Sequence, residues 1–246
     1  VSAAEVTLAE VPFVTVETDA FRLAQRACTQ ATATGSTALL YGAPGNGKTH
    51  AIEQFLASTD RPTVLITSSP SPTRKEIFEE LLIELTGTVD DMSVTKLRRA
   101  CIEVLNEVRP VVAVDEAQQL SVLWLQQVRS LHDQGRRTWP LMLIGTTGCV
   151  RRLKDHAALW SRISYRVEFA PLPTQRIVAA LQRSHPLLAN TPVDLLTKID
   201  ERHGRGNWRA WIELCRVAFP LVEASPHPDR LTLPVVRAAL TLIWGK

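Results

Sequence analysis

Long apolar runs are missing from this chain of 246 residues. None approaches the ~20 residues that a membrane-crossing helix needs, so no transmembrane segment is expected. The opening VSAAEVTLAEVPF has neither a basic stretch nor a long apolar core, and no signal peptide is expected there. Cysteine is scarce. Cys28, Cys101, Cys149 and Cys215 stand far apart, without the paired spacing of a metal site, and read as buried free thiols of a cytoplasmic protein. A surplus of one charge is missing too: 28 basic against 25 acidic residues leave +3. That balance is compatible with a polyanionic partner and does not establish one. Lysine is rare, with six against 22 arginines. Arginine is the better residue for bidentate phosphate contacts. Internal repeats and low-complexity tracts are absent from the sequence. What remains, 45% hydrophobic and 22% charged, is an ordinary globular composition. The length allows one large domain or two modest ones.

Against these absences one stretch stands out. Residues 42–49 read GAPGNGKT and fit the phosphate-loop pattern G-x-x-x-x-G-K-[ST] at every fixed position. Gly42, Gly45 and Gly47 let the backbone turn so that N–H groups face phosphate oxygens. Lys48 places a cation on the β- and γ-phosphates, and the Thr49 hydroxyl suits Mg²⁺. The flanks agree. Thr37 to Tyr41 is a short apolar run that predicts a buried strand, and Thr49 to Leu56 has helical spacing. Strand, glycine loop and helix N-terminus together put an anion at the positive end of a helix dipole. The expected nucleoside triphosphate contacts are Gly42, Ala43, Pro44, Gly45, Asn46, Gly47, Lys48, Thr49 and His50.

Apolar strands alternate with helices along the chain. A helix is expected near Asp19 to Thr32, and a second strand at Thr63 to Thr67. The turn SSPSPTRKE follows, with Thr73 and Glu76 in capping-box spacing. Ile77, Leu81, Leu82 and Leu85 continue at helical spacing. Val94 to Val108 predicts an amphipathic helix closed by Pro110. Val111 to Val114 reads as a fully apolar strand, Leu120 to Leu131 as a helix, Leu141 to Gly145 as a fourth strand and Tyr165 to Phe169 as a short fifth. Strands without polar alternation, separated by helices, indicate an α/β fold with a parallel sheet covered on both faces. Ligands of such sheets lie at the carboxyl ends of the strands, where the phosphate loop, Asp115 and Thr146 should converge. After Pro171 only helices are expected, near Thr174 to Leu188, Pro192 to His203, Asn207 to Leu221 and Pro234 to Trp244. The domain reading is therefore 1–170 for the nucleotide-binding α/β part and 171–246 for a helical lid.

Asp115 and Glu116 close the strand VVAVDE. A carboxylate leaving a buried strand beside phosphates can hold Mg²⁺ through water, and its neighbour can deprotonate an attacking water. Gln118 and Gln119 follow and could touch the same water. Thr146, or alternatively Thr147, could reach the γ-phosphate. Phosphoryl transfer also calls for a mobile arginine, which a neighbouring subunit can supply. Arg162 is the first candidate and Arg166 the second. Arg209, at the start of a helix in GRGNWRAW, could reach the phosphates from the lid. Trp208 and Trp211 beside it read as lid core. Phe13 and Val14 of the leader are candidates for the adenine.

GAPGNGKT, VVAVDEAQ, LIGTT, the arginine of SRI, and GNWR resemble, in order and spacing, the five nucleotide-site motifs of AAA+ ATPases. The resemblance covers nearly the whole chain. It implies an AAA+ fold: a five-stranded parallel sheet sandwiched by helices, with a small all-α C-terminal lid. FVTVETDAFRLAQRA, the DEAQ motif and the small size are similar to the group that holds the phage Mu B protein, the TniB and TnsC transposition regulators and ExeA-like ATPases. That likeness implies a Mg²⁺-dependent ATP hydrolase forming homo-oligomers, as rings or helical filaments, on double-stranded DNA. It also implies a transposase as partner, with target selection and transposase activation as the function. The matching DNA-contact positions are Thr73, Arg74 and Lys75, with Ser93, Thr95 and Lys96. Hydroxyls and cations at helix N-termini suit a phosphate backbone without reading its sequence. A helix-turn-helix domain of the Mu B type is not expected in these residues. A helicase-loader or an ExeA-like export ATPase is the alternative reading.

Overall fold

The computed structural model describes residues 10–67, 73–134 and 138–245. The first nine residues of the leader and residues 68–72 of the SSPSPTRKE turn lie outside the described residues. Two compact units form.

The larger unit, Asp19–Ala43 with Gly47–Phe169, holds one sheet. Its elements in order are α1 (Asp19–Thr34), β1 (Thr37–Gly42), α2 (Lys48–Ser58), β2 (Thr63–Thr67), α3 (Arg74–Thr86), α4 (Val94–Val108), β3 (Val111–Asp115), α5 (Val122–Gln134), β4 (Leu141–Gly145), α6 (Thr147–Lys154), α7 (Ala157–Trp160) and β5 (Ile163–Phe169). The strand order is β2-β3-β4-β1-β5, and every pairing is parallel. Parallel strands demand crossovers, and the helices between them supply these.

Both faces of the three central strands β3, β4 and β1 are buried, which is why they lack polar alternation, while the edge strand β5 alternates buried and exposed residues. Val112 and Val114 of β3 point into one apolar layer with Leu39, Leu143, Phe78, Leu97 and Trp124. Val111 and Ala113 point into the other, with Leu40, Ile144, Ala24 and Ile52. Each Val, Leu, Ile or Phe side chain among these contributes about 1.5–3 kcal/mol by leaving water.

Caps set the helix ends. Thr73 accepts from the Glu76 N–H while its own N–H donates to Glu76 Oε2 at 2.6 Å, a closed capping box that starts α3. Gly87 ends α3 in the left-handed region. Ser93 starts α4, and the chain leaves it at Arg109 just before Pro110. The helix expected from Leu120 begins instead at Val122. A single 3₁₀ turn, Ala117–Gln119, intervenes after β3.

The second unit comprises the described leader from residue 10 to Thr18, Pro44–Asn46 and Ala170–Lys246. The leader and the tip of the phosphate loop thus group with the C-terminal helices, where the sequence reading had kept them in the α/β part. Its helices are α8 (Thr174–Ser184), α9 (Pro186–Ala189), α10 (Val193–Ile199), α11 (Trp208–Glu223) and α12 (Leu233–Trp244). Where one helix was expected over Thr174 to Leu188, the chain breaks at His185 in extended backbone. Pro186 cannot continue a helix and pushes the residue before it out of helical geometry. Over Pro192 to His203, α10 gives way at Asp200 to a π turn, Asp200–Gly204.

Trp211, Leu214, Leu181, Leu187 and Leu196 form the core of this unit, with Trp208 and Phe13 packed against it. The Phe13 ring lies 4.8 Å from His185, and the Val14 N–H donates to the Ser184 carbonyl.

Candidate nucleotide site

β1 delivers the chain into the phosphate loop. Gly42 is the last residue of that strand, and a Cβ there would stand 2.2 Å from the Phe169 carbonyl oxygen. Only glycine fits between β1 and β5 at this point. Gly47 is the N-cap of α2 and has φ 91°. A glycine at this cap offers no side-chain acceptor of its own, which is the arrangement of an anion-binding helix end. Lys48 follows, buried, its Nζ donating to the carbonyls of Gly42 at 3.0 Å and Ala43 at 2.9 Å. The ammonium is thereby held at the mouth of the loop.

The Thr49 hydroxyl donates to Asp115 Oδ2 at 2.8 Å. Asp115 is itself buried, and its other oxygen accepts the Glu116 N–H at 2.7 Å. The donor set, one hydroxyl and one carboxylate, suits a hard divalent cation that keeps several waters and takes its remaining ligands from phosphates. Among the described residues no cluster of three or more His, Cys, Asp or Glu side chains forms a self-sufficient cage. The residues therefore fit Mg²⁺ arriving with a nucleotide.

Glu116 turns the chain out of β3 with φ 53° and ψ 36°, in the left-handed region. Gln118 Nε2 donates to Glu116 Oε2, and Gln118 Oε1 accepts the Thr146 N–H at 3.0 Å. Thr146 is the N-cap of α6, but its hydroxyl makes no capping bond. Thr147 begins the helix and is exposed. Gln119 is exposed, its N–H bonded to the Glu116 carbonyl. Arg152 reaches from α6 to the carbonyls of Gln118 and Leu120, the latter at 2.7 Å, and holds the 3₁₀ turn down. Sequence reasoning placed Gln118 near the site but missed its bridge and the Arg152 clamp. An arginine five residues inside a helix carries no local signal for either.

Arg162 lies at the other end of the strands. It immediately precedes Ile163, which pairs with Thr37, the first residue of β1. The phosphate loop follows the last residue of β1, roughly 17 Å away along the strand. The Arg162 guanidinium pairs with Asp133 at 3.2 Å, beside Arg129. Arg166, the second candidate, is committed locally. It donates to the carbonyls of Trp160 and Ile163 and lies 4.0 Å over the Trp160 ring.

Within the second unit, the start of α11 holds the loop tip. Asn207 caps the helix by accepting the Ala210 N–H, and its amide nitrogen donates to the Pro44 carbonyl at 2.8 Å and to Asn46 Oδ1 at 3.2 Å. The Arg209 N–H donates to the Gly45 carbonyl, and the Arg209 side chain is exposed in the first turn. A cation there opposes the helix dipole, a cost an anionic ligand would remove. Asn207 was not singled out in the sequence, although it lies inside the GNWR motif. His50 is exposed, its ring 6.2 Å from Phe21.

The DNA-contact candidates divide. Thr73 and Ser93 serve as helix caps. Lys75 pairs with Asp91 at 2.6 Å and Glu79 at 3.6 Å, which brings the two segments together. Arg74, Thr95 and Lys96 are exposed.

Residues 31–153, half of the chain, match the family described as AAA domain. The chain belongs to the AAA domain family. The matched stretch of this AAA domain contains the phosphate loop, Asp115, Glu116 and Thr146, and leaves out Arg162 and Arg209. Over 135 residues the chain is 30% identical to the Mu-like prophage FluMu DNA transposition protein B of Haemophilus influenzae, covering 52% of this chain and 46% of that one. It thus spans about half the length of the curated relative it matches. Among solved structures, Cdc6p from Pyrobaculum aerophilum superimposes with TM-score 0.77 at 16% identity, covering 96% of this chain and 70% of that one. The Aeropyrum pernix ORC1 protein, in a complex with DNA, gives 0.65 at 19%, covering 95% and 67%. The Thermotoga maritima RuvB Holliday junction branch migration motor gives 0.57 at 18%, covering 89% and 68%. At these identities the structures speak for the fold, which is that of the AAA+ ATPases.

Proposed function

We propose that this chain is a Mg²⁺-dependent ATP hydrolase that oligomerises on duplex DNA and regulates transposition. The observation that carries the hydrolase reading is the Thr49–Asp115 hydrogen bond, with Glu116 next in the chain. Lys48 and the loop amides bind the triphosphate. Thr49 and Asp115 hold Mg²⁺, which when bound neutralises charge on the phosphates. Glu116 takes the proton of the attacking water, and Thr146 offers its hydroxyl to the γ-phosphate or that water. Arg209, whose N–H donates to the Gly45 carbonyl of the phosphate loop, contributes a second cation.

Arg162 acts on a neighbouring copy. Its place at the amino ends of the strands supports a role in trans, because parallel sheets bind ligands at the opposite ends. A completed site then requires two subunits, which makes ATP a signal for assembly.

DNA and transposition rest on the 135-residue similarity to a DNA transposition protein B. Arg74, Thr95 and Lys96 are the groups available to a phosphate backbone, with Thr73, Lys75 and Ser93 shaping the two helix ends that present them. The transposase is the partner implied by the likeness to the Mu B, TniB and TnsC group. Among the described residues, no helix is long and apolar enough to cross a membrane.

The deciding experiment measures duplex DNA binding with ATP, with ADP and without nucleotide, at two salt concentrations. Binding that needs ATP and weakens steeply with salt is expected. ATPase activity indifferent to DNA, with no ATP-dependent binding at either salt, would remove the transposition reading and leave the export one.

A further inference from the structure

Glu116 does not stand alone at the end of β3. Its carboxylate is gripped by Gln118 two residues on, and Gln118 is in turn fixed by the main chain of Thr146 at the end of β4. We infer that Gln118 is a positioning residue for hydrolysis: its carboxamide orients the Glu116 carboxylate and ties it to the β4 end that presents the Thr146 hydroxyl. The inference rests on the proposed role of Glu116 as base and deepens it.

Elementary chemistry fixes the direction of the bridge. The Thr146 N–H can only donate, so the carbonyl end of the Gln118 amide faces it. The NH₂ end must then face Glu116, whose carboxylate can only accept. The amide therefore has one workable orientation, and both of its ends are engaged.

The bridge has a rigid support. Arg152 of α6 donates to the main-chain carbonyls of Gln118 and Leu120, so the 3₁₀ turn is clamped from outside. Gly145, at the end of β4, approaches closely as well: a Cβ there would lie 3.2 Å from Gln118 Oε1 and 2.9 Å from the Cys149 Cβ. Gln118 is half-buried in this crevice. One side chain thus links the Glu116 carboxylate to the main chain that follows β4.

Two substitutions separate this role from space-filling. Gln118→Met keeps length and removes both hydrogen bonds. Gln118→Glu keeps the shape and replaces the NH₂ donor by a second carboxylate, which repels Glu116. ATP turnover and ATP affinity are measured on the whole chain with Mg²⁺, beside Glu116→Gln as control. Both variants are expected to lose about tenfold or more in kcat, since small misplacement of a reacting group is costly. Gln118→Glu should lose at least as much as Gln118→Met. ATP affinity should stay within about threefold of wild type, the ammonium and loop being untouched. Wild-type kcat in Gln118→Glu, or equal loss of kcat and ATP affinity in both variants, would overturn the inference. If Glu116→Gln itself turned over at the wild-type rate, the base assignment would fall, and this inference with it. A dead Glu116→Gln beside fully active Gln118 variants would sink the positioning role alone.

Discussion

Thr49 and Asp115, separated by 66 positions, meet through a 2.8 Å hydrogen bond from hydroxyl to carboxylate. One comes from the first turn of α2 and the other from the end of β3. Their meeting joins a helix start to a strand end, at the edge proposed to hold Mg²⁺. Asp115→Asn keeps the size of the side chain and removes its charge. The Mg²⁺ concentration that half-saturates ATP binding should rise about tenfold or more, as for changes in groups supporting a metal. Calorimetric titration of ATP across a Mg²⁺ series reads this. An unchanged Mg²⁺ requirement would detach Asp115 from the metal.

Arg162 offers a test of action between subunits. Arg162→Ala removes a partly exposed pair with Asp133, so it should cost no more than about 1 kcal/mol of stability. Turnover should nonetheless fall by about 10³, the scale of a transferred arginine. Mixing inactive Arg162→Ala with inactive Glu116→Gln should restore activity. Hybrid interfaces then join an intact arginine from one chain to an intact glutamate from the other. A mixture that stays dead would place Arg162 outside the reaction in trans.

The same ion pair has an acid limb. Burial pushes the Asp133 carboxyl up, but the Arg129 hydrogen bond and the charges of Arg162 and Arg129 outweigh it and hold the group below its ordinary value. A depressed carboxyl stabilises the fold above the unfolded value of about 3.9, and that contribution fades as pH falls through the folded one. Wild type should therefore exceed Asp133→Asn in unfolding free energy from urea titration at pH 7, by under about 1 kcal/mol, and the gap should narrow as pH falls below about 3.9. A gap that widened in acid would contradict the assignment.

The four cysteines are free and buried. Burial pushes the thiols of Cys28, Cys101 and Cys215 up to about 12 and that of Cys149 to about 11. Reactivity needs the thiolate, so a disulfide reagent at pH 8 should label none of them in the folded chain and all four in denaturant. The stability linked to these thiols is complete below the unfolded value of 9.0 and is lost as pH rises from there toward the folded values. Rapid labelling of a native thiol would show that one of these layers opens.

Asp200 should prove costly to change. It is fully buried, and its Oδ1 accepts both the Trp211 Nε1–H at 3.0 Å and the Gly206 N–H at 2.9 Å. Asp200→Ala leaves both donors unsatisfied, at about 1–3 kcal/mol each. The thermal midpoint reads the loss. A drop of under about 1 °C would mean that water replaces the carboxylate.

What could be read in advance followed from local rules. β4 was legible to the residue because a strand buried on both faces is an unbroken apolar run, and β2 because its three apolar residues stand between two threonines. The helix Val94–Val108 was legible because Ser93 caps one end and Pro110 closes the other. The break at His185 was missed although Pro186 announces it, since the apolar spacing continues across the break. The π turn after Ile199 has no local signature. It is set by Asp200, whose partners Gly206 and Trp211 are met only when α11 packs back. In the site, the phosphate loop and the acidic pair were legible from residue type and spacing. The Gln118 bridge was not, because it depends on Thr146, 28 residues away, arriving at the adjacent strand end.

Glu116 bends its main chain into a shape that suits residues without a side chain, a conformation costing ordinary residues about 1–2 kcal/mol. Replacement by glycine would make the protein sturdier and erase its carboxylate. Random drift toward robustness therefore pulls against the catalytic role proposed for this position, and an unusually heat-resistant variant recovered from a library is the place to look for a silent enzyme.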